Sequence, residues 1–415
     1  MSPADPALSP AARGLWASPD FLRLWTGQTI SELGSRITRE GIPLTALLVL
    51  HAGAAQMGLL SALGAAAVLV FGLLAGVWVD RVRRRPILIA ADLGRAAVLA
   101  SIPVAALAGA LGMGQLYAVA AAAGVLTVFF DVAYQSYLPA LVERDQILAG
   151  NSKLAMSSSL AEIAGPGLTG FLVQLITAPI AILFDAVSFV ISAVLLAGIR
   201  RREPPPERPP TERLLAEALA GLRWIFADPV LRAIGLRSAT AWVFHGFLGS
   251  LYMLYAIDVL RLSPAVLGLV TATGGAGAMA GAWLAPRIER RFPLGPTFVA
   301  TSAIYGLTTV LIPLAAAAPA LAVALLATTQ LIGDSAFMVY SINELSLRQR
   351  VVPSSVLGRV SSGMQLLARG VYPIGALLGG AIGARAGVVT ALSIAAGGLL
   401  LSTLWLVGSP LRRLR

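Results

Sequence analysis

Residues 57–85 read MGLLSALGAAAVLVFGLLAGVWVDRVRRR, and this stretch decides the class of fold. The run from Met57 to Val79 carries no charge. As a helix rising 1.5 Å per residue it would be about 35 Å long, enough to cross a hydrocarbon layer of about 30 Å. The run then ends at Asp80 and a cluster of arginines. This pattern indicates a membrane span whose arginine end faces the cytoplasm.

The rest of the chain repeats this pattern. Twelve apolar segments of spanning length can be marked between Phe21 and Gly408. Of the 415 residues, 57% are hydrophobic and 12% are charged, whereas a soluble domain has about a quarter charged residues. The mean hydropathy is +0.81. Because lipid offers the backbone no hydrogen-bond partners and alternating strand patterns are absent, the segments are predicted to be helices. The sequence therefore predicts an all-α membrane protein with twelve transmembrane helices.

The basic residues orient the predicted bundle. If both termini and the loops from even- to odd-numbered helices lie on one side, that side holds 25 of the 31 Lys and Arg residues. The other side holds only Arg261 and Arg385. Such a bias is typical of cytoplasmic loops. We therefore predict a multi-pass protein of the bacterial cytoplasmic membrane with both termini in the cytoplasm. We therefore attribute the net charge of +11 to the basic residues that orient the chain in the membrane, and not to nucleic-acid binding.

The longest connection divides the chain. It begins RRREPPPERPP at Arg200, which is typical of an extended linker. Apolar residues alternating with charged ones follow and predict an amphipathic helix at the membrane interface. The two halves on either side echo each other weakly, as in transporters built from parallel repeats. The predicted parts are a cytoplasmic tail (1–20), a six-helix half (21–199), the linker with its helix (200–235), a second six-helix half (236–408) and a basic cytoplasmic tail (409–415).

The loop after the second predicted helix carries a signature. Residues 76–85 follow the pattern G-x-x-x-D-R-x-R-R-R, which resembles the loop signature of the major facilitator superfamily with Arg83 in place of the usual second glycine. The resemblance implies the major facilitator fold, with two pseudo-symmetric six-helix halves. It also implies a cytoplasmic gate in which Asp80 locks the halves together near a helix N-terminus. The implied gate residues are Gly76, Asp80, Arg81, Arg84 and Arg85.

The fifth predicted helix carries Gly165, Pro166 and Gly170, which resemble the Gly-Pro signature of the antiporter branch. The segments LPALV at 138–142 and FDAVSF at 184–189 resemble sequence segments of drug and siderophore exporters. That branch includes macrolide efflux and enterobactin export proteins. This resemblance implies proton-coupled export of amphipathic small molecules by alternating access: drugs, macrolides, siderophores or secondary metabolites. Many drug/proton antiporters have a basic residue in the fourth helix. The fourth predicted helix of this sequence has no basic residue, so the resemblance does not imply proton transfer through such a residue here.

The first predicted helix has a polar stripe, because its polar and charged residues fall at spacings of three and four. Charges this deep in lipid cost several kcal/mol unless they face a wet cavity or each other. The stripe either lines the transport path or forms the structural pairs Glu32–Arg36 and Arg36–Glu40, and the two interpretations are compatible. The predicted cavity and proton-coupling residues, including some from other helices, are Gln28, Glu32, Arg36, Arg39, Glu40, Asp131, Glu162 and Arg369.

Proton-coupled transport needs a carboxyl group that takes and releases a proton near neutral pH. The candidates for this role are Glu32, Asp131 and Glu162, in that order. Two further intramembrane carboxylates, Asp185 and Asp334, resemble family signature positions. We therefore predict that these two are structural rather than substrate contacts.

Other classes of function have less support. The chain has no cysteine and only two histidines, far apart, so neither a disulfide nor a metal site is predicted. Its glycine-rich segments lack the Lys-Ser/Thr of a nucleotide loop. No cofactor is expected, and the expected partners of the monomeric chain are lipid, a small-molecule substrate and protons. Two alternatives stay open: a facilitator-type importer or a dedicated exporter of one metabolite and, more remotely, a polytopic membrane enzyme.

The predicted orientation can be tested with single cysteines, since the chain has none of its own. We expect Pro205→Cys to react in intact cells with a membrane-permeant maleimide and not with an impermeant one. The matched variant Arg385→Cys, on the predicted outer side, should react with both reagents. Labelling of the Pro205 variant by the impermeant maleimide would contradict the orientation.

Overall fold

The computed structural model describes residues 15–79, 81–143, 146–201, 203 and 214–413, and over these ranges the chain is helical without β-strands. The first half contains α1 (Pro19–Leu48), α2 (Ala54–Val79), α3 (Arg84–Leu107), α4 (Met113–Leu141), α5 (Ile147–Ile176) and α6 (Ala178–Ala197). A separate helix, α7 (Leu214–Ala227), follows. The second half contains α8 (Pro229–Leu254), α9 (Pro264–Arg291), α10 (Leu294–Thr309), α11 (Leu311–Leu314), α12 (Ala322–Thr328), α13 (Asp334–Val351), α14 (Ser354–Arg369), α15 (Tyr372–Ala386), α16 (Val388–Ser402) and α17 (Leu404–Val407).

Eleven stretches of helix in the described ranges are long and apolar enough to cross a membrane. Helix α1 is not one of them, because six charged residues interrupt its apolar sequence. It is nevertheless 30 residues long, which corresponds to about 45 Å, and it packs along α5 and α6 inside the bundle. Within the described part of the chain, twelve helical units therefore form the bundle, and the prediction of an all-α, twelve-span membrane fold is confirmed.

Several spans of the second half are interrupted. The span that starts with α8 continues as a π-helix at Tyr255–Val259, and another π-helix at Thr329–Gly333 precedes α13. Helices α14 and α15 are separated at Gly370 and Val371. The break comes just before Pro373, whose ring and missing N–H disfavour a continuous helix. π-Helical turns are frequent at functional positions. The polar residues that adjoin these breaks include Asp334, Arg369 and Tyr372.

Helix α7 forms where the amphipathic helix is predicted. It packs against α14 of the second half. Gly221 makes this contact close, because a methyl group there would overlap the backbone carbonyl of Arg359. Ile225 of α7 is fully buried, in one cluster with Met364 of α14. The helix after the linker is thus docked on the second half.

We call the end of the bundle where α1 begins and α6 ends the terminal face, and the other end the opposite face. The two halves touch near the opposite face along two glycine seams. In the first seam, α5 meets α9, and methyl groups on Gly170 and Gly268 would overlap the carbonyls of Pro264 and Pro166. In the second, α2 meets α15, where a methyl group on Gly58 would lie 2.8 Å from the Gly380 Cα atom. Small residues allow this backbone-to-backbone approach.

The interior is open toward the terminal face. Arg39 of α1, Asp131 of α4 and Arg369 of α14 are exposed although they lie within spanning helices. Glu162 of α5 has 58% of its side chain exposed. Since the seams close the space between the halves near the opposite face, these side chains are reached from the terminal face. The structure is therefore one with access from a single side.

Widening the second seam should open the opposite face. In Gly380→Val the new side chain cannot fit against the Gly58 backbone, so α2 and α15 should separate. We expect a cysteine placed at Met57, which is 3% exposed, to react faster with an impermeant maleimide in intact cells. Gly397→Val is the matched control, because a methyl group there would meet nothing within 4 Å. Unchanged labelling in the Gly380 variant would show that this seam does not seal the bundle.

Candidate functional site

A cavity of about 430 Å³ lies in the middle of the bundle. Helices of the first half form most of its wall, and the second half adds Gly249 of α8 and Tyr372 of α15. The Tyr372 hydroxyl lies 3.2 Å from the Ser61 Oγ atom of α2, so this hydrogen bond joins the halves beside the cavity. Most of the wall is apolar. The polar lining residues are Ser35, Thr38, Arg39, Ser61, Arg95, Thr127, Asp131, Asp185 and Tyr372.

Two residues predicted from the sequence, Arg39 and Asp131, line this cavity. Their side chains come from α1 and α4, and both are exposed because the cavity is open. The charges of Arg39, of Glu32 in α1 and of Arg369 in α14 all act on Asp131. Four of the eight predicted residues therefore share one electrostatic environment, to which both halves contribute.

Two other predicted residues, Arg36 and Glu162, form an ion pair between α1 and α5, with Arg36 Nη1 2.9 Å from Glu162 Oε1. Gly165 makes room for it, since a methyl group there would overlap the Arg36 side chain. The proposed pairs of Arg36 with Glu32 and Glu40 within α1 are wrong for the described structure. Sequence spacing suggested them, but the packing of α5 on α1 brings a better-placed carboxylate.

The last two predicted residues of α1 lie away from the cavity. Gln28 is 5% exposed, and its amide Nε2 atom has no hydrogen-bond partner among the described atoms. Glu40 lies beside the first seam, close to Pro166, Gly170 and Thr271. The polar stripe of α1 thus serves three surroundings: the cavity, the contact with α5 and the seam between the halves.

Arg95 of α3 lines the cavity although it was not in the predicted set. Its guanidinium group pairs with Asp92 at 2.5 Å. It lies between the rings of Phe130 and Phe189, with its Cζ atom 4.2 and 4.0 Å from their centroids. Such cation–π contacts lower the cost of placing the charge in an apolar region. Arg95 is thereby fixed at the back of the cavity.

Asp185 also lines the cavity, although the sequence predicts a structural role for it. It is 1% exposed, and its Oδ1 atom accepts a hydrogen bond from the Ser188 hydroxyl at 3.0 Å. The signal that could have indicated it is plain: Asp185 is the single charge in the 20 residues of α6. The family resemblance of the surrounding phrase led instead to the structural interpretation.

The remaining carboxylate, Asp334, begins α13 and faces α9, where a methyl group on Gly274 would overlap its Oδ2 atom. Near it lies an aromatic cluster in which the His245 ring stacks on Tyr305, with centroids 5.3 Å apart. The Tyr305 hydroxyl and the His245 Nδ1 atom are 3.5 Å apart. Asp334 does not line the cavity described above, and its structural role stays a prediction.

The Gly-Pro signature of α5 has a clear location. Gly165 faces Arg36, whereas the carbonyl of Pro166 and the backbone of Gly170 form the first seam with α9. The predicted residues Gly165, Pro166 and Gly170 therefore form one surface that α1 and α9 both contact. Any side chain larger than hydrogen at either glycine would push these helices apart.

Two predicted gate residues, Arg84 and Arg85, are held at helix ends. Glu203 of the linker accepts hydrogen bonds from the backbone N–H groups of Arg84 at 2.9 Å and Arg85 at 3.2 Å. It also pairs with Arg84 Nη1 at 3.3 Å. A carboxylate here complements the positive end of the α3 dipole. Arg85 Nε in turn donates to the Leu196 carbonyl near the end of α6 at 2.9 Å.

The other gate residues are described only in part. Gly76 belongs to α2, which ends at Val79, and Arg81 is exposed. Asp80 lies outside the described residues. Its lock between the halves stays a prediction. In the structure, the loop between α2 and α3 ends at a helix start that is held in place, because Arg84 and Arg85 bond to the Glu203 carboxylate and the Leu196 carbonyl.

Comparisons with known proteins agree with this fold. The family described as transmembrane secretion effector matches residues 12–415. The multidrug efflux pump Tap of Mycolicibacterium fortuitum is 26% identical over 365 residues, covering 86% of this chain and 87% of Tap. Macrolide efflux protein A of Streptococcus pyogenes is 27% identical over 180 residues, 43% of this chain and 44% of that protein.

A solved structure is similar over almost the whole length. The inward-facing crystal structure of a bacterial homologue of the iron transporter ferroportin superposes with a TM-score of 0.77. Its sequence identity is 19%, and the alignment covers 94% of this chain and 98% of that chain. At this identity the likeness shows the fold alone. The family match over residues 12–415, together with the efflux-pump relatives, establishes that the chain belongs to the transmembrane secretion effectors of the major facilitator superfamily, and that it is a membrane transporter rather than an enzyme.

Proposed function

We propose that this chain exports amphipathic small molecules across the bacterial cytoplasmic membrane in exchange for protons. The observation that carries the proposal is the central cavity, which is mostly apolar, holds a few charged groups and has access from the terminal face. Its volume of about 430 Å³ lies within the range of pockets that hold drug-sized ligands, about 300–1,000 Å³. The names of two relatives, a multidrug efflux pump and a macrolide efflux protein, support export.

The direction of transport rests on the orientation of the chain. The excess of basic residues at the terminal face supports a cytoplasmic location for that face. A cavity that loads there and releases at the opposite face performs export. The glycine seams would have to part while the terminal face closes, which is alternating access. A single chain surrounds the whole cavity, so we propose that it works as a monomer in the bilayer.

Coupling to protons is assigned to Asp131. Of the three candidate carboxylates, Glu162 is paired with Arg36, and Glu32 is not among the residues that line the cavity. Asp131 lines it, is exposed there and interacts electrostatically with Arg95, Glu32, Arg369 and Arg39. A proton taken up by Asp131 would change the balance of charge between the halves, and a change of this kind can drive their rearrangement.

The function can be tested in everted membrane vesicles, whose outer surface is the cytoplasmic face. A panel of drugs and siderophores should include compounds that accumulate inside vesicles with an acidic interior. A gradient of one pH unit stores about 1.4 kcal/mol and so supports roughly tenfold accumulation in one-for-one exchange. Collapse of the gradient should abolish the accumulation. Accumulation of no compound, or uptake that ignores the gradient, would contradict proton-coupled export.

The role of Asp131 predicts a specific defect. Asp131→Asn keeps the size of the side chain but fixes it in a neutral state. We expect gradient-driven accumulation to be lost, while downhill flux and exchange of substrate remain. Asp258→Asn is the matched control, because Asp258 is an exposed carboxylate near the opposite face. Wild-type accumulation by the Asp131 variant, at equal expression, would return Glu32 and Glu162 to consideration.

A further inference from the structure

A hydrogen bond joins the halves where the central cavity meets the second seam. The Tyr372 hydroxyl, at the start of α15, lies 3.2 Å from the Ser61 Oγ atom of α2. Both residues line the cavity. Ser61 follows Gly58 by three residues, about one helical turn, and a methyl group on Gly58 would lie 2.7 Å from the Ala376 carbonyl oxygen of α15. The bond therefore lies between the cavity and the contact that closes the opposite face.

Two glycines of α8 fix the position of this tyrosine. A methyl group on Gly246 would overlap the Tyr372 carbonyl, so the backbones of α8 and α15 are in direct contact there. A methyl group on Gly249, about one turn along α8, would overlap the Tyr372 hydroxyl. The Tyr372 side chain thus extends along α8 from one glycine to the other and ends at Ser61. Any larger residue at either glycine would displace the tyrosine.

The cavity adjoins the second seam and not the first. Its described lining residues come from α1, α2, α3, α4, α6, α8 and α15, and none of them comes from α5 or α9, which form the first seam. Helix α15 begins at Tyr372, directly after the break that follows Arg369. This first turn of α15 is therefore not continuous with α14. The bond between Tyr372 and Ser61 thus links the cavity wall to the closure of the opposite face.

We propose that Tyr372 and Ser61 form a latch, which keeps the opposite face closed while the cavity is empty. This inference goes beyond the proposed function, because it concerns the empty transporter and not the compound that is exported. The two are positioning residues, since their bond holds α15 against α2. A neutral hydrogen bond shifts an equilibrium by about two- to tenfold. The latch therefore makes opening of the empty transporter rarer, and the opposite face still opens in each transport cycle.

Opening of the opposite face can be measured in the Met57→Cys variant, because Met57 is only 3% exposed in the closed seam. In this background, Tyr372→Phe removes the hydroxyl and keeps the ring. We expect an impermeant maleimide to label intact cells about two- to tenfold faster, and Ser61→Ala to have the same effect. The double variant should match either single variant, because both remove the same bond. Unchanged labelling in both single variants, or effects that multiply in the double variant, would overturn the proposal.

Gly249→Ala should break the latch without changing either partner, since the new methyl group would overlap the Tyr372 hydroxyl. It decides the question if one of the other variants does not reach the membrane. Gly397→Ala is the matched control, because a methyl group there would meet nothing within 4 Å. Tyr255→Phe controls for the loss of a hydroxyl, because Tyr255 donates to the Ile312 carbonyl at 2.7 Å within the second half. Labelling that rises equally in these controls would overturn the latch.

Loss of a proton gradient gives a second measurement. In everted vesicles that hold a pH gradient, with no transported compound added, we expect Tyr372→Phe to dissipate the gradient faster than the wild-type protein, because the empty cavity opens more often. The labelling experiment needs no transport, so the two measurements separate this inference from the proposed function. Faster labelling without faster dissipation would support the latch and count against proton coupling. Unchanged or slower labelling would overturn the latch, whatever happens to the gradient.

Discussion

The structure depends on how charged side chains are kept away from lipid. A charge in the hydrocarbon layer costs several kcal/mol unless it is paired or faces water. The bundle uses both solutions. Arg36 pairs with Glu162, and Arg95 pairs with Asp92 between two aromatic rings. Arg39 and Asp131 instead face the open cavity. The position of the cavity thus follows from the placement of these charges on the inner helices.

Glycine makes both solutions possible. Gly34 and Gly165 lie where α1 meets α6 and α5, and their missing side chains leave space for Asp185 and Arg36. Gly58 and Gly268 do the same for the backbones at the two seams. Close packing, which small residues permit, is one of the attractions between helices in lipid. The same residue type therefore admits charges within the first half and closes the contact between the halves.

The linker also belongs to the structure of the first half. Asp20 at the start of α1 accepts hydrogen bonds from the backbone N–H groups of Arg200 and Arg201, and Glu203 does the same for α3. These carboxylates lie at the positive ends of helix dipoles. The chain after α6 is thus fastened to two other helices before it leaves the first half, which favours movement of that half as one body.

The sequence by itself determined the membrane-spanning helices, their number and the family. These properties depend on local composition: the length of apolar runs, the arginines that end them and short signatures such as residues 76–85. It also indicated Arg39, which belongs to the polar stripe of the first helix, and Asp131, which is the single charge in the apolar fourth helix. Only the tertiary structure decided the partners. Arg36 pairs with Glu162 and not with the carboxylates of its own helix, and Asp185 lies in the cavity wall. Both residues contact partners more than 100 positions away in the sequence. Such contacts are set by the packing of helices and not by spacing along one helix.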